Sequence, residues 1–133
     1  MKKMNHMKRS KKIILLVLCV LIIAIVSGVI AVTAGLKDGA KLSINDVNLT
    51  AIDDGNYTGT YTKGRWTNTV VVDISDHKIK DIQIKKDVRV AAANVSEDMI
   101  QRVIAAQSLD VDSVSGATVT SKAYLKAIEI ALN

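Results

Sequence analysis

Hydroxyl side chains cluster around one Gly-Ala pair close to the C-terminus of this 133-residue chain. The run reads Asp112-Ser113-Val114-Ser115-Gly116-Ala117-Thr118-Val119-Thr120-Ser121. An apolar-periodic helix is predicted to follow directly, and a helix N-terminus offers unpaired N–H groups and partial positive charge to an anion. Gly116 allows a turn that lets a ligand approach the backbone closely. The pattern therefore indicates either a phosphate site with the hydroxyls of Thr118, Thr120 and Ser121 or an ordinary Ser/Thr helix cap.

This run resembles the signature of the FMN-binding domain family, which includes the covalent flavoprotein subunits of sodium-pumping quinone reductases and of related ferredoxin-linked membrane complexes. In that signature an aspartate precedes a Ser/Thr-Gly-Ala-Thr core, and a flavin transferase esterifies the final threonine with the phosphate of FMN. The matching positions are Asp112, Ser115, Gly116, Ala117, Thr118 and Thr120. The resemblance implies that Thr118 carries FMN through a phosphate ester and that the preceding residues form the loop presenting it.

A second stretch agrees with the same family. Asp54–Gly59, the Val-rich strand that follows and Lys78–Ile82 are similar to the family's N-terminal half. The resemblance therefore covers residues 52–133. The chain departs from the pattern at Lys86-Asp87-Val88-Arg89, where many members carry an acidic residue followed by Thr.

Few aromatic side chains are available to stack on a flavin ring, since the chain has one Trp, three Tyr and no Phe. Trp66 lies in a predicted hairpin, where it is either exposed for stacking or packed in the core. Tyr124, near the start of the last predicted helix, is expected close to the ester, and Lys122 either pairs with the phosphate or is solvated. Cys19 is the only cysteine, so no cysteine-based metal or iron–sulfur site is expected.

Strands and helices of regular periodicity must position this loop. Strands are predicted at Tyr57–Thr62, Thr67–Ser75 and Lys78–Lys86, with a bulge or bend at Ile79. Helices are predicted from about Asn94 to Gln107 and from about Val119 to Leu132. The fold class is therefore α+β, a small antiparallel-sheet domain with two C-terminal helices behind a single N-terminal transmembrane helix.

Basic residues concentrate at the N-terminus. Residues 1–12 hold six of the 18 Lys and Arg residues and no acid, whereas residues 13–133 hold 12 of them against 13 Asp and Glu. The near-neutral body excludes the domain-wide basic face expected of a nucleic-acid-binding protein. Residues 13–36 lack any charge over 24 positions, and a helix of that length spans roughly 36 Å, enough for a bilayer core of about 30 Å.

Four zones follow: a cytoplasmic basic tail at 1–12, a transmembrane anchor at 13–36, a polar tether at 37–51 and an FMN-binding domain at 52–133. The cations beside the apolar run orient the N-terminus into the cytoplasm and the C-terminal domain outside, with membrane lipid as a partner. A cleaved signal peptide, with Val32-Thr33-Ala34 as its cleavage site, is the alternative to an uncleaved anchor.

The sequence and the resemblance together predict a single-pass cell-membrane flavoprotein with covalent FMN. It would relay electrons from a membrane donor, for example a quinone-linked one, to an acceptor outside, after maturation by a flavin transferase. An electron-transfer protein is favoured over a stand-alone enzyme, and no catalytic residue is assigned. Two alternatives stay open: an anchored binding or sensor domain with non-covalent FMN or none, and a flavin-dependent reductase with its own small-molecule substrate.

Overall fold

The chain divides into two compact units between Ala34 and Gly35. The computed structural model describes residues 2–133, with side chains from residue 9 onward. Met1 and the side chains of residues 2–8, which belong to the predicted basic tail, lie outside the described residues.

The first unit is one long helix, α1, spanning Lys2–Thr33. Its most apolar 18-residue window has a mean hydropathy of 3.5 and none of that window is buried, so the helix is long and apolar enough to cross a membrane. The hydroxyls of Ser27 and Thr33 donate to carbonyl oxygens of the preceding turn, at 3.0 and 2.8 Å, which satisfies them without water. The helix ends at Thr33, ahead of the predicted Leu36, and Gly35 takes a left-handed φ of 85° beyond it.

The second unit contains the predicted meander. Its strands are β1 (Gly55–Tyr61), β2 (Asn68–Ser75) and β3 (Lys78–Lys86), in the order β1-β2-β3 and antiparallel throughout. A two-residue turn at Asp76 and His77, both with positive φ, joins β2 to β3, as the twist of a tight hairpin requires. The register shifts between Asp73 and Ile74, so the bulge predicted beside Ile79 is confirmed.

Three helices complete this unit: α2 (Leu36–Ala40), α3 (Val95–Ala106) and α4 (Thr118–Leu132). The apolar face of β2, formed by Val70, Val72 and Ile74, is buried. Helix α4 packs on β1 and β2, and the two backbones lie close together at Gly59, where an added Cβ would overlap the carbonyl oxygen of Ala127. The α+β fold class is confirmed, and α4 is the element that joins the core to the predicted loop.

Residues 36–51, here called the strap, pack on the rest of the second unit through specific hydrogen bonds. The Asn45 backbone N and Nδ2 donate to the Glu129 carboxylate at 3.1 and 3.2 Å. The Asp46 carboxylate accepts from the Leu109 backbone N and from Ser108 Oγ, both at 2.8 Å. From the sequence, residues 37–51 were interpreted as a polar tether because they show little periodicity. Their hydrogen bonds join residues more than 60 positions apart, and such long-range contacts leave no local pattern in the sequence.

Candidate functional site

The loop that precedes α4 is held by backbone and buried side-chain hydrogen bonds. Gly116 adopts a left-handed φ of 76°, and the Ala117 backbone N donates to the Val114 carbonyl at 3.0 Å, which closes the turn. The Ser121 Oγ accepts from the Val114 backbone N at 3.0 Å, and Ser121 is fully buried. Ser121, predicted among the cofactor-binding hydroxyls, therefore braces the loop against the helix.

The N-terminus of α4 is open. Its N-cap residue is Ala117, which provides no side-chain hydrogen bond, and the first turn contains no acidic residue. The ordinary Ser/Thr cap considered as the alternative is therefore not present. Thr118 is the first helical residue and is exposed, so its hydroxyl lies where unpaired N–H groups and the helix dipole favour an anion.

A cavity of about 340 Å³ adjoins this helix end. Gly116, Ala117, Thr118 and Thr120 line it together with Trp66, which brings together five of the predicted site residues. The remaining lining includes Leu36 from the strap and Arg65. The strap thus contributes to the cavity wall, a role that the polar-tether interpretation did not include.

Asp112 and Ser115 belong to the same loop but are not among the residues that line the cavity. Both are exposed, and the Asp112 carbonyl oxygen accepts from Arg102 Nη1 at 3.1 Å. Their exposure leaves both residues accessible to another protein.

Tyr124, expected close to the ester, lies in the core and is only 1% exposed. Its hydroxyl donates to the Asp87 carboxylate. Burial, together with Asp87, raises the pKa of the Tyr124 hydroxyl well above its ordinary value. The Tyr124 ring is therefore a packing element that fixes α4 to the segment after β3.

Trp66 lies in a single 3₁₀ turn, Gly64–Trp66, and is 5% exposed. The Arg65 guanidinium lies over its ring, with Cζ 4.3 Å from the ring centroid. An added Cβ on Gly35 would lie 3.0 Å from Trp66 Cζ3, so the residue just before the strap also lies close to this ring. The structure thus favours the core-packing interpretation of Trp66, and stacking of a flavin on the covered face would require Arg65 to move.

The sequence did not single out Arg65 as a site residue. Its Nε is buried and has no hydrogen-bond partner, and no carboxylate of the described residues lies within 4.0 Å of its guanidinium. Lys122, by contrast, donates to the Ala40 carbonyl oxygen at 2.7 Å. The positive side chain that lines the cavity is therefore Arg65 of the hairpin rather than Lys122 of α4. The sequence signal that could have pointed to Arg65 is the tripeptide Gly64-Arg65-Trp66.

A second cavity, of about 390 Å³, lies between the strap and the loop. Its lining includes Asp46, Asp110, Ser113 and Lys122. Asp46 is engaged by Leu109 and Ser108, and the backbone hydrogen bond from Leu109 lowers the pKa of its carboxyl against the opposing effect of burial. Among the described residues no group of three His, Cys, Asp or Glu side chains is placed to hold a metal ion.

Comparison with protein-family models gives a match to one described as the FMN-binding domain, over residues 26–133. The match covers more than half of the chain and includes the loop, the cavity and the whole second unit. No curated protein matches the chain. The residues present fit such a ligand, since an uncapped helix N-terminus, an exposed hydroxyl and an unpaired arginine meet at one cavity.

Proposed function

Because the chain belongs to the FMN-binding domain family, we propose that it is a membrane-anchored extracytoplasmic flavoprotein. It carries FMN esterified to Thr118 and relays electrons from a membrane donor to an acceptor outside the cytoplasm. The observation that carries this proposal is the open N-terminus of α4, with the exposed Thr118 at its first position in the wall of the 340 Å³ cavity.

Thr118 is the nucleophile of the maturation step. A bond forms between Thr118 Oγ1 and the phosphorus of FMN, and the hydroxyl proton is lost. The bond that breaks joins this phosphorus to the leaving group of the activated flavin nucleotide that a flavin transferase supplies. The transferase would contact this chain at Asp112 and Ser115, which are exposed in the loop.

The resulting phosphodiester keeps one negative charge, which the unpaired N–H groups and positive end of α4 stabilise. The isoalloxazine of the bound flavin supplies one- or two-electron redox chemistry. This chain's residues fix where the cofactor is attached, and the ester prevents its loss by diffusion outside the cell.

Helix α1 is the anchor in this proposal. Its uncharged run is long enough to span a bilayer, and the six basic residues within 1–12 favour a cytoplasmic N-terminus. The second unit, which begins directly after the helix, would then lie outside, where covalent attachment of the flavin is useful.

Denaturing electrophoresis tests the attachment. The full chain is produced in cells that contain a flavin transferase, denatured, and examined for flavin fluorescence. We expect fluorescence in the parent and in Thr58→Val, which removes an exposed hydroxyl from β1, but none in Thr118→Val. A parent that releases all its flavin on denaturation would refute the ester and favour the non-covalent binding domain.

The relay is tested separately from the ester. The loaded protein is mixed with NADH or NADPH alone and its flavin absorbance is followed. We expect no steady turnover without a partner, because an electron relay is reduced by its donor protein. Sustained oxidation of nicotinamide would contradict the relay and identify a reductase with its own substrate.

A further inference from the structure

We propose that Arg65 is the positioning residue for the flavin phosphate. Its guanidinium, held on the ring of Trp66, would pair with the phosphate at the start of α4 and make the site selective for phosphorylated flavin. The inference rests on the proposed function in placing the phosphate at Thr118, and it names a residue that the loop motif does not contain.

The geometry first places Arg65 at the right cavity. Arg65 and Thr118 line the same 340 Å³ space, although they come from different elements. The buried Asn68 amide joins those elements, since its Nδ2 donates to the carbonyl oxygens of Trp66 and Ala123, both at 3.1 Å. The Arg65 carbonyl oxygen also accepts from the Arg89 backbone N at 2.9 Å. The turn that carries Arg65 is therefore fixed relative to the beginning of α4.

The charge of Arg65 is not compensated. Its buried Nε has no partner, and among the described residues the ion pair found at α4 joins Lys126 to Glu129, at 3.0 Å. Leaving a buried donor of a charged group unsatisfied is costly. An anion in the cavity would relieve that cost, whereas Lys122 already donates to the strap at Ala40.

Arg65 is also preorganised. Its guanidinium lies 4.3 Å from the centroid of Trp66, and Trp66 is itself buried at 5% exposure. A cation held over an aromatic face loses less side-chain freedom when it binds an anion. The planar fork of Arg suits two oxygens of one phosphate group. These features favour a phosphate over a neutral ribityl hydroxyl as the partner.

The test measures phosphate selectivity without the ester. The full chain carrying Thr118→Val is purified in detergent free of flavin, and its affinities for FMN and for riboflavin are measured by fluorescence titration. We expect FMN to bind about tenfold more tightly than riboflavin. This ratio of affinities corresponds to the contribution of about one charge-assisted hydrogen bond. Adding Arg65→Gln should lower this preference to the part that the N-terminus of α4 provides and leave riboflavin affinity unchanged, while Arg65→Lys should restore part of the loss.

Arg89→Gln is the matched control, since Arg89 is exposed and its backbone contacts Arg65. It removes the same charge and should leave the FMN preference in place. The inference is overturned if the Thr118→Val protein does not distinguish FMN from riboflavin, if Arg65→Gln weakens both ligands equally, or if Arg89→Gln acts as strongly as Arg65→Gln.

This outcome is separable from that of the proposed function. Fluorescence on a denaturing gel reports the ester in the chain that retains Thr118, whereas the titration reports phosphate recognition in a chain that cannot form it. In the loaded protein, Arg65→Gln should also shift the ³¹P resonance of the phosphodiester. An unchanged resonance would count against contact between Arg65 and the phosphate.

Discussion

At the scale of single residues, Asn68 joins the sheet, the Trp66 turn and α4. Its side chain is 0% exposed and its Nδ2 donates to two carbonyl oxygens from different elements. We expect Asn68→Ala to lower the free energy of unfolding by about 1–3 kcal/mol, because buried acceptors lose a donor. Chemical denaturation measures this, with the exposed Asn56→Ala on β1 as control. Equal effects of the two substitutions would contradict the role given to Asn68.

Substitution of Gly116 tests whether the conformation of the loop matters for flavin loading. The φ of Gly116 is 76°, yet an added Cβ would meet nothing within 4 Å, so Gly116→Ala strains only the backbone. A left-handed conformation costs a non-Gly residue roughly 1–2 kcal/mol. We expect Gly116→Ala to lower the fraction of chains loaded with flavin, and Gly116→Asn to lower it less, since Asn tolerates this region better. The ratio of flavin to protein absorbance measures loading, and full loading of Gly116→Ala would contradict the prediction.

At the scale of elements, the strap and α4 show where sequence reasoning succeeds and where it ends. The three strands and α3 and α4 were predictable because alternation and helical periodicity are local patterns. The ordered packing of the strap was not predictable, because its contact between Asn45 and Glu129 joins residues 84 positions apart. The same limit applies to Arg65, which enters the cavity only because a hairpin turn packs beside α4. The place of Thr118 at the start of a helix was predictable from the sequence, whereas the residues that line the cavity opposite it were not.

The contact between the strap and Glu129 should make the stability of the strap depend on pH. Burial alone would raise the pKa of the Glu129 carboxyl, but hydrogen bonds from Lys126 and Asn45 outweigh it and lower that pKa below its ordinary 4.5. A lowered folded-state pKa contributes stability above the ordinary value, and this stability is lost as pH falls through the folded-state pKa. We expect the hydrogen-exchange protection factors of residues 42–47, which are corrected for the intrinsic pH dependence of exchange, to fall below about pH 4.5 as Glu129 takes up protons.

Glu129→Gln provides the comparison for that measurement. It keeps the side-chain shape but cannot titrate, so the protection factors in the strap should depend less on pH in this range. Exchange that responds to acid equally in the parent and in Glu129→Gln would assign the effect to another group, such as Asp46.

At the scale of the whole molecule, the chain is an apolar helix followed by one α+β unit. The helix could be predicted from the sequence because 24 uncharged residues in succession are a purely local feature. The residue at which this helix ends could not be predicted, because the uncharged run continues through Gly35 and Leu36, which belong to the second unit. That division makes Leu36 a cavity-lining residue rather than a membrane-facing one.

The proposed anchor predicts where the flavin is found in cells. Protein-bound flavin fluorescence should remain in the membrane fraction after washing with high salt and with alkaline carbonate, because a spanning helix is held by apolar burial. Protease added outside intact spheroplasts should remove it. Recovery of the labelled protein in the soluble external fraction would instead indicate a cleaved signal peptide.

The most direct measurement for the central claim is the mass of the denatured full chain, followed by fragmentation of its C-terminal peptide. Protein from cells that contain the flavin transferase should be heavier by the mass of FMN less one water, with the added mass on Thr118. An unmodified chain from those cells, or an adduct on Thr120 or Ser121, would contradict the assignment of Thr118 as the residue that carries the flavin.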